Sequence, residues 1–252
     1  MNNKIFKMNT KNQLRVGLFL LLIVSFNLSA SSQKNNKKQA KEKKQIVLFD
    51  GKSTDAWKDI KSDKFPEHGW VIKDDVLTVL AKTDTQEGGH DIVTKEQFSN
   101  FELELEVLLS EGANSGVKYM VVDSYPNREG QYLGLEYQLI DNEKHPDAKL
   151  GRNGNRKMAA LYDILPTREN IKVNPTGEWN MVKIVSTKNR VEHWLNGKKV
   201  IVYARNSDSY KELVRLSKYN NLENFGGQEQ GHILLQGHGN EVSFRNIKIA
   251  TW

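Results

Sequence analysis

The sequence predicts an antiparallel β-sandwich, and three observations carry that expectation. Between positions 101 and 109, Phe101, Leu103, Leu105, Val107 and Leu109 alternate with Glu102, Glu104 and Glu106. That period of two marks a strand with one buried face. Asn196-Gly197 lies between two β-rich runs and is the residue pair that favours a tight hairpin turn. Only residues 207–218 read as a helix, with Leu213 and Leu216 to pack it down and Ser207 or Asp208 as its cap. About ten or more strands, one helix and no strand–helix–strand rhythm point to two antiparallel sheets packed face to face.

Residues 1–31 read as a secretory signal peptide. Lys4, Lys7, Lys11 and Arg15 precede an apolar run from 16 to 28, followed by Ser29-Ala30-Ser31-Ser32. The run is shorter than the roughly 20 residues a membrane helix needs. The chain has no cysteine, so a lipid anchor at the cleavage site is excluded. Residues 32–45 form a lysine-rich tract expected to be a disordered linker. Export without disulfides suits a bacterial periplasm or cell surface.

The leader also explains the charge. The chain carries 37 Lys+Arg and 31 Asp+Glu, and ten of the former against one of the latter lie in residues 1–44. The remainder holds 27 basic and 30 acidic residues, near −3, so the basic patch that a nucleic-acid binder needs is not expected. Residues 46–252 are long enough for one well-buried core, and no internal repeat divides them.

Within that domain, residues 46–49 form a strand before the turn at Asp50-Gly51-Lys52. Residues 70–72 and 76–80 flank Lys73-Asp74-Asp75 as a hairpin, and 92–94 make a short strand. After the alternating strand at 101–109, Asn114-Ser115-Gly116 is expected to turn the chain into a strand at 117–122. Leu135, Tyr137 and Leu139 alternate with Glu136 and Gln138 in the next strand. Residues 142–160 read as an irregular loop, a feature that is often functional inside a compact domain. Strands return at 181–186, 191–195 and 199–203, and then at 232–236 and 242–250 after the helix.

The stretch from Gly134 to Pro146 concentrates the polar chemistry. Glu136 and Gln138 share the face opposite Leu135, Tyr137 and Leu139, and Asp141, Glu143 and His145 follow where the strand runs into a loop. The same residues also suit an ordinary solvated face ending in a turn.

Seven motifs in order carry a resemblance. They are Leu48-Phe49-Asp50-Gly51-Lys52 with Trp57, Asn114-Ser115-Gly116, Glu136-Tyr137-Gln138, Ala160-Leu161-Tyr162-Asp163, Glu178-Trp179-Asn180, Glu192-His193-Trp194-Leu195-Asn196-Gly197, and the ending Gly231–Gln236 with Phe244-Arg245-Asn246-Ile247. Together they resemble the bacterial 3-keto-disaccharide hydrolase domain family over residues 46–252. The resemblance implies a concanavalin A-like jelly roll and action on glycosides oxidised at C3. Similar members often read Leu-Gln-Asp-His-Gly near the end, whereas this chain reads Leu235-Gln236-Gly237-His238-Gly239. A role for the missing acid is therefore not carried over.

Such a substrate invites specific chemistry. A C3 ketone acidifies the C2 hydrogen, so a base can form an enolate that expels the C1 substituent, and water can then add to the enone. Hydrolase and lyase are two outcomes of that one route. It needs a base, a positive group at the C3 oxygen and a donor for the leaving oxygen. Glu136, Asp141 and His145 could supply a base or ligands for one divalent ion. Lys118, on the alternation expected to share a face with Met120 and Val122, could stabilise the oxyanion or be a surface lysine, and Tyr162 could donate to the leaving group or pack beneath the sugar. Gln138, His193, Trp194, His238 and Arg245 are candidate substrate contacts, with only one of His193 and Trp194 able to face the site. Arg245 could equally pair with an acid across its sheet. The predicted partners are a small carbohydrate and, functionally, a sugar C3 oxidase, with no nucleic acid and no membrane span in the mature chain. A non-catalytic carbohydrate-binding domain is the alternative. A two-carboxylate glycosidase would require Glu104 roughly 5 Å from Glu136.

Overall fold

A computed structural model describes residues 43–252 except 124, 126, 127 and 129. The expected signal peptide and most of the linker lie outside the described residues, but Lys44 and Gln45, expected to end the linker, instead open the first strand by pairing with Thr251 and Ala250. Among the described residues, thirteen strands and one α-helix follow in order. The first six strands are β1 (Lys44–Phe49), β2 (Trp57–Asp59), β3 (Trp70–Lys73), β4 (Val76–Val79), β5 (Ile92–Thr94) and β6 (Phe101–Leu109). Then come β7 (Asn114–Val122), β8 (Leu133–Ile140), β9 (Trp179–Ser186), β10 (Arg190–Leu195), β11 (Lys198–Ala204) and α1 (Asp208–Arg215). The chain closes with β12 (His232–Leu235) and β13 (Val242–Thr251).

The strands form two antiparallel sheets. The larger runs β11-β10-β9-β6-β13-β4-β3, with β1 also paired to β13, and the smaller runs β2-β5-β12-β7-β8. Alternation decides which residues lie between them. Phe101, Leu103, Leu105 and Val107 from β6 and Phe244 and Ile249 from β13 are fully buried against Tyr119, Leu135 and Tyr137 of the smaller sheet. The hairpin at Asn196-Gly197 has positive φ at both residues (48° and 76°), as a type I′ turn requires. The Ser207 side chain accepts from Tyr210 N at 3.2 Å and caps α1.

Two local expectations are corrected. Asn114-Ser115-Gly116 is the start of β7, not a turn; the reversal comes earlier, at Gly112, where φ is +67°. Lys118 does not share a face with Met120. Met120 sits at φ 52° in a bulge, the register shifts between Tyr119 and Val122, and Met120 joins the core instead.

Candidate functional site

Register fixes the outward face of the smaller sheet. Lys58, Val93, Leu234, Lys118 and Glu136 are successive cross-strand partners across all five strands. Since Tyr137 and its neighbours fill the core, Glu136 and Gln138 emerge on the outward face. The chain at 159–162 then runs along the free edge of β8. Gln138 N donates to the Ala160 carbonyl (3.0 Å), and Tyr162 N donates to the Glu136 carbonyl (3.0 Å). Leu161 pairs with Tyr137 and is buried, which leaves Tyr162 on the Glu136 side. Glu136 thus stands between Lys118 on one flank and Tyr162 on the other.

A cavity of about 230 Å³ opens here, lined among others by Lys118, Glu136, Lys218, Tyr219, Leu222 and Gln236. Glu136 is only 5% exposed at its floor. Gly116 makes that position possible, because a Cβ at 116 would lie 2.6 Å from Glu136 Oε1. With its amide nitrogen turned toward acceptors, Gln138 donates to Glu136 Oε1 (3.2 Å) and to the Ser115 carbonyl (2.9 Å). Burial raises the Glu136 pKa above its ordinary value, and the nearby Lys118 and Lys218 ammonium groups only partly counter that. Lys118 Nζ lies 3.6 Å from Asp91 Oδ2, and Asp91 Oδ1 accepts from Gly237 N (2.9 Å), which ties the β12–β13 loop to the sheet lysine.

A polar network supports the other flank. The Tyr162 hydroxyl donates to Asp147 Oδ2 (2.9 Å). Arg156 bridges Asp147 (2.8 Å) and Asp163 (2.7 Å), and Asp163 Oδ2 accepts from Lys218 N (2.7 Å). This holds the Lys218 ammonium 4.2 Å from the centre of the Tyr162 ring. Burial raises the Tyr162 pKa, and the bond to Asp147 raises it further. Burial and the Lys118 charge lower the Lys218 pKa against the attraction of Glu136.

This arrangement of a buried carboxylate flanked by two lysines can be set beside known proteins. A family model described as a 3-keto-alpha-glucoside-1,2-lyase-like domain matches residues 44–250. The chain belongs to this family. A Bacteroides thetaiotaomicron protein named 3-keto-disaccharide hydrolase is 36% identical over 226 residues, 81% of this chain and 77% of that protein. Two crystal structures of Parabacteroides distasonis proteins designated glycosyl hydrolases share the fold. One has a TM-score of 0.71 at 29% identity, covering 82% of this chain and 94% of its own. The other has 0.62 at 28% identity, covering 83% and 100%.

The structure brings Glu136, Gln138, Lys118 and Tyr162 together and separates several other candidates from them. His193 is wholly buried between the sheets, where Nε2 meets the Tyr119 hydroxyl (2.8 Å) and Nδ1 the Ala159 carbonyl (3.0 Å). Burial there lowers its pKa to about 4. Trp194 lies on the far side of the larger sheet, with its indole N–H on Glu192 Oε2 (2.9 Å) and Lys183 and Lys199 over its ring. Neither residue of the pair faces the cavity, because β10 belongs to the other sheet. Arg245 shares that outer face, gripping Glu106 Oε2 (2.6 and 2.9 Å) and stacking 4.0 Å from the Trp179 ring. Glu104 is there too, paired with Lys183 and Lys248, so it offers Glu136 no second carboxylate.

The expected metal ligands do not converge. Among the described residues no three His, Asp or Glu side chains form a ligand cluster. Asp141 spends both oxygens on the backbone amides of Gly112, Glu143 and Lys144; burial opposes its ionisation, but those donors hold its pKa low. His145 Nδ1 accepts from Asp147 N (3.1 Å) as the cap of a short 3₁₀ turn, and burial lowers its pKa. Glu136, ringed by ammonium groups and an amide donor, is not arranged as a cation ligand. His238 is exposed and is not among the residues that line the cavity.

Sequence reasoning missed Asp91, Asp147, Arg156, Asp163 and Lys218. Asp163 stood in a motif quoted for the resemblance, and Asp91 follows the glycine-softened Gly88-Gly89-His90 run. Lys218 gave no local signal, since a lysine just past a helix is ordinary surface chemistry.

Proposed function

We propose that this chain cleaves the glycosidic bond of 3-keto-glycosides by removing the C2 proton and eliminating the C1 substituent, with water then adding to the enone. Glu136 is the base. Its buried carboxylate at the cavity floor, opposed in register by Lys118, is the observation that carries this reading. A raised carboxyl pKa brings the base toward the operating pH, which favours proton abstraction. Lys118, anchored by Asp91, supplies positive charge for the developing C3 oxyanion. Gln138 orients Glu136 through its amide.

Membership of a family described as lyase-like, together with a relative named hydrolase, supports action on glycosidic bonds and leaves the water-addition step to experiment. The substrate must arrive already oxidised, so a sugar C3 oxidase must supply it, and the leader residues support export to the same compartment. Incubating a 3-keto-glucoside with the protein in H₂¹⁸O and reading product masses tests the reading. An ¹⁸O-labelled 3-keto sugar, or an unlabelled enone, is expected. Unchanged substrate would sink it.

A further inference from the structure

From the position of its ammonium beside Tyr162, we infer that Lys218 is the catalytic residue that protonates the departing C1 oxygen. The inference rests on the base role proposed for Glu136 and adds to it a group for the second half of the reaction. In the substrate, C2 lies between C3 and C1. A base at C2 therefore needs one partner toward the C3 oxygen and another toward the C1 oxygen. Glu136 has such partners, Lys118 on the β7 side and the Tyr162–Lys218 pair beyond the free edge of β8.

The two flanks are chemically different. Lys118 is held near the Asp91 carboxylate at 3.6 Å, which suits a fixed positive charge facing an oxyanion. Lys218 has no carboxylate oxygen within 4 Å of its Nζ among the described residues; its ammonium lies against the faces of Tyr162 and Tyr219, at 4.2 and 5.1 Å. The charged groups that face it are Glu136, Lys118, Asp163 and Arg156, and burial makes its proton easier to release. Tyr162 is the weaker donor. Its hydroxyl hydrogen is committed to Asp147, and both burial and that bond hold the proton on it.

Glu136 takes the C2 proton, and the C–H electron pair forms the C2=C3 enolate, with the negative charge on the C3 oxygen beside Lys118. The enolate electrons then reform the C3 carbonyl and make C1=C2 as the C1–O bond breaks. The leaving oxygen keeps that bond pair and takes a proton from Lys218. If water adds to C1, neutral Lys218 accepts its proton and Glu136 returns its own to C2, restoring both groups.

Leaving-group dependence tests this. An alkyl 3-keto-glucoside needs a proton on its departing oxygen, whereas a 4-nitrophenyl 3-keto-glucoside leaves as a stable anion. Lys218→Met should cut kcat on the alkyl substrate by about 10²–10⁴-fold, with less than about a tenfold loss on the aryl one. Lys218→Arg keeps the charge but cannot release a proton, so it should rescue neither the fold-loss nor its selectivity for alkyl substrates. In D₂O, Lys218→Met should still exchange the C2 hydrogen of the alkyl substrate, because Glu136 is intact. Equal losses on both substrates, restoration by arginine, or loss of exchange together with cleavage would each overturn the assignment. Wild-type cleavage in D₂O with no exchange of the C2 hydrogen in substrate or product would instead overturn the Glu136 reading beneath it.

Discussion

Replacing Glu136 by Gln changes one group at the cavity floor while keeping its shape. The glutamine still fits over Gly116 and beside Gln138, so packing is preserved and only the basic oxygen is lost. Losing a general base costs about 10²–10⁴ in rate, equivalent to about 3–5 kcal/mol of transition-state stabilisation. Stability should move the other way. The folded-state pKa of Glu136 is raised because burial outweighs the attraction of Lys118 and Lys218. Its contribution to stability is therefore greatest below the unfolded carboxyl pKa, and it falls as pH rises toward the folded value. Glutamine carries no such penalty, so the variant should melt no lower than wild type at pH 8 and should lose its advantage near pH 4. Turnover of a 3-keto-glucoside, and calorimetry at the two pH values, check both halves. Near-normal turnover, or a variant markedly less stable at pH 8, would refute the reasoning and make Glu136 a structural partner.

Three further outcomes are expected. Gly116→Ala places a Cβ 2.6 Å from Glu136 Oε1, so the carboxyl must swing away; kcat should fall at least about tenfold, while circular dichroism stays native. The His193 imidazole titrates near 4 when folded and near 6.5 when unfolded. Stability present above pH 6.5 should decline as pH falls toward 4 by about 3 kcal/mol, and His193→Gln should flatten that limb in denaturant titrations. Arg245→Ala and Trp194→Ala alter only the outer face of the larger sheet, so kcat/KM on the 3-keto-glucoside should stay within about twofold of wild type; a large loss would return that face to the site.

Much of this protein is determined by local pattern. Strand alternation needs only a few residues of sequence, so the alternating run at 101–109, the Asn196-Gly197 hairpin and a helix start at Ser207 or Asp208 could all be read directly, the structure choosing Ser207 as the cap. So could the face on which Glu136 stands, because Leu135, Tyr137 and Leu139 can bury only one side of their strand. What alternation does not encode is which sheet a strand joins. His193 and Trp194 occupy opposite faces of β10, as the pattern requires, yet neither reaches the cavity, since β10 was placed in the other sheet by long-range pairing. A single bulge at Met120 likewise reversed the alternation after Lys118. The site itself was decided by tertiary structure. Asp91 reaches Lys118 from β5's approach, and Lys218 reaches Tyr162 because Asp163 holds its backbone across a loop. Those contacts join residues far apart in the chain, and only packing of the edge loops onto β8 brings their charges to bear on one carboxylate.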